Sequence, residues 1–229
     1  MTITKDKANR WFVSCLGEVV VEKRRVTGKT VGLDMGVKDT LVLSTGQKLS
    51  PRDDRDMKKK LAKVDKYQRR LSKKKSGSNN FAKAKTKLSK AHVQVVDARK
   101  DWIHKTTTQL VKEFDVVCIE DLNVRGMTRS ARGKGRKAKA GLNRRILEQS
   151  FAEIRRCLEY KSQDCGGEVV AIDRFFPSSK TCSSCGYINK SLTLNHRFWV
   201  CPRCQERLDR DINAAKNIQA AGLAVIACG

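Results

Sequence analysis

Acidic side chains are scarce in this chain: 24 Asp and Glu stand against 49 Lys and Arg, which gives a formal charge of +25. DNA or RNA is therefore the expected partner, because neutralising phosphates releases their counterions. Aromatic residues make up only 6% of the chain and are rare in its basic segments. Contacts to the nucleic-acid backbone are thus expected to outweigh base stacking.

Long apolar runs and a secretory signal are also lacking. The first residues, MTITKDKANR, do not contain the apolar segment of a signal, so the nine cysteines are expected in a reducing compartment. The longest apolar stretch, Ala220 to Cys228, is far shorter than the ~18 residues of a membrane span. We expect a cytoplasmic, nucleoid-associated protein without a membrane segment. Cys15 and Cys118 lie in apolar runs and are expected to be buried thiols.

The hydrophobic pattern predicts one α/β domain with a small insert. Strand-like runs begin at Trp11, Thr30 and Asp39, and the short apolar runs FDVVCIEDL and GEVVAIDRFF fit buried strands. Between residues 57 and 113 the spacing of apolar residues is helical, with a turn at SGSNN, which predicts a basic helical hairpin.

Two further helices are predicted in the second half of the chain. Leu147, Phe151, Ile154 and Leu158 have the spacing of one amphipathic helix, and residues 211–221 form another. Residues 125–145 carry nine Lys or Arg with no acid and repeated Gly and Ala, so they are predicted to be a mobile basic loop.

Positive charge is concentrated in the helical hairpin and in this loop. Residues 51–112 hold 20 Lys or Arg against six Asp. The candidate nucleic-acid contacts are Arg69, Arg70, Lys73, Lys74, Lys75, Arg132, Lys134, Arg136 and Lys137. The patch as a whole is better supported than any one member, because a charge run is usually a solvated helix face.

Four cysteines have the spacing of a zinc ribbon. Two Cys-x-x-Cys knuckles, Cys182 with Cys185 and Cys201 with Cys204, can bring four thiolates around one Zn²⁺. A shell of four thiolates has no open position, so the zinc is expected to be structural. His196 is expected to face solvent.

Three acids stand where elements begin or end. Asp34 lies in the strand TVGLD, Glu120 ends VVCIE, and Asp211 opens the helix that follows the cysteines. A carboxylate at the end of an apolar strand is costly to desolvate without a cation or donor. Oxygen ligands alone favour Mg²⁺ or Mn²⁺. Asp209 is the competitor for the third position.

These segments resemble consecutive signatures of the TnpB family, the transposon-encoded nucleases related to type V CRISPR effectors and Fanzor. The resemblance is carried in order by VGLDMGVKDTLVLSTGQ, QRRLSKKKSGSNN, ARKDWIHKTTTQLV, VVCIEDLNVRGM, SSKTCSSCGY and LDRDINAAKNI, and it covers nearly the whole chain. It implies an RNase H-like (RuvC) mixed sheet with flanking helices, a basic helical hairpin insertion and an inserted zinc ribbon.

The resemblance also implies a function. Asp34, Glu120 and Asp211 match the family's catalytic acids, which implies RNA-guided DNA cleavage by two-metal hydrolysis, with 5′ phosphates on the products. Asp34 would bridge two Mg²⁺ ions (Mn²⁺ being the alternative) about 3.5–4 Å apart, with Glu120 and Asp211 holding one each. DNA is then the substrate, and a guide RNA from the same element the partner. Genes of this kind are often named transposases, and Ser178, Ser179 and Lys180 match a stretch near the family's active site.

The family pattern predicts a division of the chain. Residues 1–28 correspond to a remnant of the N-terminal barrel-like domain, 29–177 to the RuvC domain with its basic insertion at 51–113, 178–208 to the zinc ribbon and 209–229 to the last RuvC segment. The short N-terminal part indicates a truncated product with impaired guided targeting. Two alternatives stay open: a guide-RNA or DNA-binding regulator that does not cleave, and a basic ribosomal or zinc-ribbon scaffold protein.

Overall fold

The computed structural model describes residues 1–6, 8–18, 26–130, 135–193 and 196–228. Its internal contacts divide the chain into two units, which are considered separately. The first unit consists of Met1–Val21 with Pro51–Lys105, and the second of Glu22–Ser50 with Thr106–Gly229.

The first unit contains a β-hairpin and two helices. Strands β1 (Thr2–Lys5) and β2 (Trp11–Ser14) pair antiparallel. Helix α1 (Arg55–Ser72) is capped by Asp54, whose side chain accepts the N–H of Asp56, and helix α2 (Asn79–Glu113) continues into the second unit. The predicted helical hairpin is therefore confirmed.

A mixed five-stranded sheet forms the core of the second unit. Its order is β5-β4-β3-β6-β7. The ranges are β3 (Thr30–Asp34), β4 (Leu41–Leu43), β5 (Lys48–Leu49), β6 (Val116–Glu120) and β7 (Glu168–Ile172). Strands β3, β4 and β5 pair antiparallel, whereas β3, β6 and β7 run parallel. The predicted α/β class and both predicted apolar strands are thus confirmed.

Four further helices and a small hairpin complete the described part of the second unit. They are α3 (Val124–Met127), α4 (Arg136–Gln149), α5 (Phe151–Cys165), the strands β8 (Phe198–Val200) and β9 (Arg207–Asp209), and α6 (Arg210–Cys228). Helix α6 packs on the sheet. None of the helices in the described residues is long and apolar enough to cross a bilayer.

Glycine allows α6 to approach the sheet closely. A Cβ on Gly32 of β3 would lie 2.0 Å from the carbonyl oxygen of Ala215 and 2.6 Å from the amide of Gln219. A Cβ on Gly222 would lie 2.4 Å from the Sγ of Cys118 in β6. The absence of these two side chains therefore sets how close α6 lies to the central strands.

Three expectations were wrong. Residues 136–145 are not a loop but belong to α4, because Ala, Lys and Arg are good helix formers and Ile146 and Gln149 are buried. A break at Ser150, in the left-handed conformation, separates α4 from α5 and leaves Leu147 60% exposed. Cys15 is exposed, whereas Cys118 is buried as predicted.

Candidate active site and metal centre

Asp34 and Glu120 lie side by side at one edge of the sheet. Strands β3 and β6 are parallel neighbours, and Leu33 pairs with Ile119. Asp34 and Glu120 are the next residues along each strand, so both stand at the carboxyl ends, and both are partly buried. Two residues far apart in the sequence therefore share one location.

The third predicted acid, Asp211, faces the same cavity. This open cavity of about 330 Å³ is lined by Asp34, Gly36, Val37, Lys38, Asp39, Val42, Glu120, Ser178, Ser179, Arg197, Arg210 and Asp211. Asp211 reaches it from the first turn of α6. The fold thus brings together the three acids with three cationic side chains.

Burial and mutual repulsion raise the proton affinity of the acids. Desolvation raises the pKa of Asp34 to about 7, with further contributions from the negative charges of Glu120 and Asp211. Desolvation also raises the pKa of Glu120, although a hydrogen bond donated by the Ser178 hydroxyl, at 2.5 Å, opposes this shift. A nearby cation would therefore stabilise the ionised form of these carboxylates.

Two arginines already contact Asp211. Arg197 Nη1 donates to its Oδ2 at 2.8 Å, and Arg210 donates to its Oδ1 at 3.2 Å. Among the described residues, the three acids do not form a cluster in which every ligand atom lies within 4.8 Å of the others, whereas the four thiols do. The three acids thus share a cavity, and within it Asp211 is already paired with two arginines.

Asp209, the competitor for the third position, has a different role in the fold. Its Oδ1 accepts the amide hydrogens of Asp211 and Ile212 and so caps the start of α6. Its Oδ2 lies 2.7 Å from Lys48 Nζ. Asp209 does not line the cavity.

Two buried asparagines connect the cavity to the first cysteine knuckle. Asn217 Nδ2 donates to the carbonyls of Ser178 and Thr181, at 2.7 and 2.6 Å. Asn213 donates to the same Thr181 carbonyl and accepts the amide hydrogen of Ser183, which lies within the knuckle. We call this chain of bonds the asparagine bridge. It holds in place the residue that donates to Glu120.

The four cysteines converge as the spacing predicts. Sγ of Cys182 lies 3.6 Å from that of Cys204, and Sγ of Cys185 lies 3.6 Å from that of Cys201. Four sulfurs at ~2.3 Å from one Zn²⁺ would be about 3.8 Å apart in a tetrahedron, so the thiols fit that ion. His196 is exposed and contacts Thr193.

The two knuckles share one backbone pattern but differ in one residue. Gly186 donates to the carbonyl of Cys182 and Gln205 to that of Cys201, each at 2.9 Å, and both residues have positive φ. Burial raises the pKa of the Cys201 thiol, but hydrogen bonds from the Cys204 and Arg203 amides outweigh it and lower the pKa to about 7.

The predicted basic contacts that the structure describes fall in two places. Arg70, Lys73 and Lys74 line a second cavity in the first unit, while Arg69 and Lys75 are exposed beside it. Arg136 and Lys137 are exposed at the start of α4, and Arg132 and Lys134 lie outside the described residues.

Several lining residues were missed by the sequence analysis. Lys38, Arg197 and Arg210 face the acids only because of the tertiary path of the chain. The asparagine bridge left a signal, since Asn213 and Asn217 are four residues apart and so share one face of α6.

Comparison with known proteins gives the family. Residues 13–131 match the family model OrfB_IS605, described as "Probable transposase". The chain belongs to the OrfB_IS605 family. Residues 151–218 of this OrfB_IS605 member match "Cas12f1-like, TNB domain", which spans the four cysteines.

Relatives of the OrfB_IS605 chain confirm the resemblance to TnpB-type proteins. It is 43% identical over its full length to a "Putative RNA-guided DNA endonuclease" of Streptomyces pristinaespiralis, of which it covers 54%. It is 38% identical over 96% of its length to the "Putative RNA-guided DNA endonuclease InsQ" of Escherichia coli (strain K12), of which it covers 56%. The chain therefore spans about half the length of these relatives.

A solved structure has the same fold. The protein in a "Cas12f1-sgRNA-target DNA complex" superposes with a TM-score of 0.60 at 22% identity, covering 86% of this chain and 51% of that one.

Proposed function

We propose that this chain is a divalent-cation-dependent DNA endonuclease with an RNase H-like (RuvC) centre and that it is guided by RNA. One observation carries the proposal: Asp34, Glu120 and Asp211, from three separate elements, line one cavity at the carboxyl edge of parallel strands. The names of the relatives, RNA-guided DNA endonucleases, support the same class.

The donor set fits magnesium or manganese. Oxygen ligands without His or Cys suit these hard cations, and the raised pKa of Asp34 reflects its burial together with the charges of neighbouring carboxylates, which a cation would offset. Asp34, Glu120 and Asp211 would hold the metal ions. When bound, such ions lower the pKa of a water nucleophile and stabilise the leaving oxygen.

The chain's own groups would position the substrate. Lys38 and Arg197 line the cavity as cations beside the acids, where they would bind the phosphodiester. Ser178 would hold Glu120 in place through its hydroxyl. Asp211 would exchange its arginine partners for the metal.

The cysteines are proposed to hold one structural zinc ion. Four thiols fill a tetrahedral shell, so no position is left for a water or a substrate. The ribbon would then support the catalytic edge through the asparagine bridge.

The test is cleavage of labelled single-stranded DNA with and without Mg²⁺, with zinc kept in every buffer. Asp34→Asn should reduce the cleavage rate at least about 1,000-fold, because several kcal/mol of charge stabilisation would be lost. DNA affinity should change less than about threefold. Asp164→Asn, the same change at an exposed site on α5, is the matched control. Cutting by Asp34→Asn at the rate of the unmodified chain would refute the assignment.

One observation favours a second candidate, a guide-RNA or DNA-binding regulator that does not cleave. Both carboxylate oxygens of Asp211 already have arginine partners, so the charge of this acid is balanced without a metal. Tight binding with no cutting in Mg²⁺ or Mn²⁺ would support this candidate.

The guided part of the proposal has its own test. RNA that co-purifies with the protein should be one discrete species when sequenced. A random sample of cellular RNA would instead indicate general basic binding.

A further inference from the structure

The two helices of the first unit enclose a basic cleft. This cleft, of about 450 Å³, is lined by Tyr67, Arg70, Lys73, Lys74, Asn80, Lys83, Ala84 and Lys87. These residues come from the end of α1, the turn that follows it and the start of α2. We call it the hairpin cleft, and its five cationic side chains are exposed.

Within the described residues, the cations of the hairpin cleft lack acidic partners. Between Asp65 and Asp97 the sequence contains ten Lys or Arg and no acid. In the part of the chain that the structure describes, Arg70, Lys73, Lys74, Lys83 and Lys87 form no ion pair, whereas Lys60 and Lys105 on the same two helices each pair with an Asp. Five like charges around one cavity repel one another until an anion enters.

Helix stability explains only part of this arrangement. Arg70, Lys73 and Lys74 stand near the carboxyl end of α1, where cations interact favourably with the free carbonyls. The positions of Lys83 and Lys87 are not explained in this way. They are four residues apart near the amino end of α2, whose first turn has no acid, and like charges at this spacing destabilise a helix. Helix stability therefore does not account for these two lysines.

The other lining groups specify the kind of anion. Tyr67 is partly buried in the wall and offers a ring for stacking, and Asn80 offers an amide. Cationic grooves with an aromatic side chain are typical of sites for single strands, in which the bases are free to stack. The cavity has the size of a small-ligand site, which admits one nucleotide of a strand but not a duplex.

We propose that the hairpin cleft binds single-stranded nucleic acid, with backbone phosphates against the five cations and one base against Tyr67. The inference rests on the proposed nucleic-acid function for its ligand class, but it does not depend on cleavage.

The experiment measures fluorescence anisotropy with labelled single-stranded RNA, single-stranded DNA of the same sequence, and a duplex competitor. The protein carries Asp34→Asn in every sample and no Mg²⁺ is added, so nothing is cut. Lys83→Gln with Lys87→Gln should weaken single-strand binding about tenfold or more near 0.1 M salt. The slope of log K against log salt should become shallower by about 1.4, since each lost phosphate contact on a single strand contributes ~0.7.

The matched control is Lys58→Gln with Lys59→Gln, which removes the same charge from exposed positions of α1 outside the cleft. The control pair should change binding less than threefold. The thermal midpoint of the Lys83 and Lys87 variant should stay unchanged or rise, because a repulsive pair has been removed.

Substitutions of Tyr67 distinguish the contribution of base stacking to binding from that of charge. Tyr67→Phe should bind within about twofold of the parent, whereas Tyr67→Leu should lose about fivefold or more. Tighter binding of RNA would assign the cleft to the guide, and tighter binding of DNA to the target strand. Equal losses in both lysine pairs, or a duplex that competes as well as a single strand, would overturn the proposal even if Mg²⁺-dependent cutting is found.

Discussion

Asp34 combines burial with a crowded negative charge, so its protonation should affect stability. Its pKa of about 7 lies above the ordinary value of 3.8 because of desolvation and the charges of Glu120 and Asp211, with Arg210 opposing. The stability gained from the neutral form is fully present below pH 3.8 and is lost as the pH rises through about 7. Without Mg²⁺, Asp34→Asn should therefore be more stable than the unmodified chain at pH 8.

Thermal midpoints between pH 5 and 8 test this prediction. The gap between Asp34→Asn and the parent should widen with pH to at least ~2 °C, the shift that about 1 kcal/mol causes in a chain of this size. Asp164→Asn should follow the parent, and Mg²⁺ at pH 8 should stabilise the parent but not Asp34→Asn. A constant gap across this range would show that Asp34 is already ionised at pH 5.

At the residue scale, the site residues that could be predicted from the sequence are those whose position depends on local structure. Asp34 and Glu120 could be proposed because each ends an apolar strand, and the cysteines because of their spacing. Arg197 and Arg210 could not, because a basic residue beside a turn looks the same whether it faces solvent or a carboxylate. The positive φ of Gln205, where the first knuckle has Gly186, also became visible only in the backbone.

Among the elements, α6 has the tightest contact with the sheet. Gly32→Ala would place a methyl group 2.0 Å from the carbonyl of Ala215, so α6 must move and carry Asp211 with it. We expect a loss of ~1–3 kcal/mol. Affinity for Mn²⁺, measured by electron paramagnetic resonance, should also fall.

Gly141→Ala is the control for this change. Gly141 lies within α4 with open space around it, so alanine should stabilise the helix by up to ~1 kcal/mol. Unchanged Mn²⁺ binding in a destabilised Gly32→Ala protein would show that the position of α6 does not determine the site.

Elements with a clear hydrophobic pattern were predicted and those without one were not. The apolar stripe of α2 repeats every three to four residues, whereas β6 and β7 are short, continuous apolar runs whose length favours a buried strand. Helix α4 has only Ile146 and Gln149 buried. Its side chains instead donate to neighbouring carbonyls, Lys139 to Met127 and Asn143 to Thr128, and such contacts leave no hydrophobic pattern.

At the scale of the molecule, the asparagine bridge should couple the proposed zinc site to Asp34, Glu120 and Asp211. Asn217→Leu removes two buried hydrogen bonds, for which we expect a loss of about 2 kcal/mol. Because Ser178 would then hold Glu120 less firmly, Mn²⁺ affinity should fall about tenfold with zinc still bound. Removing zinc from the unmodified chain should have the same effect.

Lys216→Ala, an exposed change on the same helix, is the control and should leave Mn²⁺ affinity unchanged. Full Mn²⁺ affinity in the zinc-free protein would show that the ribbon and the acids are independent. The asparagine bridge could not be predicted from the sequence pattern. Its amides can be identified only by the carbonyls that they contact, and those carbonyls lie more than 30 residues away in the chain.

The pairing of β3 with β6 limits how chain length can vary in this protein. Side chains alternate between the faces of a strand, so inserting or deleting one residue inside either strand would turn its terminal carboxylate to the opposite face. Changes of length can be absorbed only in the connections, such as the turn from Lys73 to Ser78. Among related sequences, gaps should therefore collect in those connections, while the spacing from Thr30 to Asp34 and from Val116 to Glu120 stays constant.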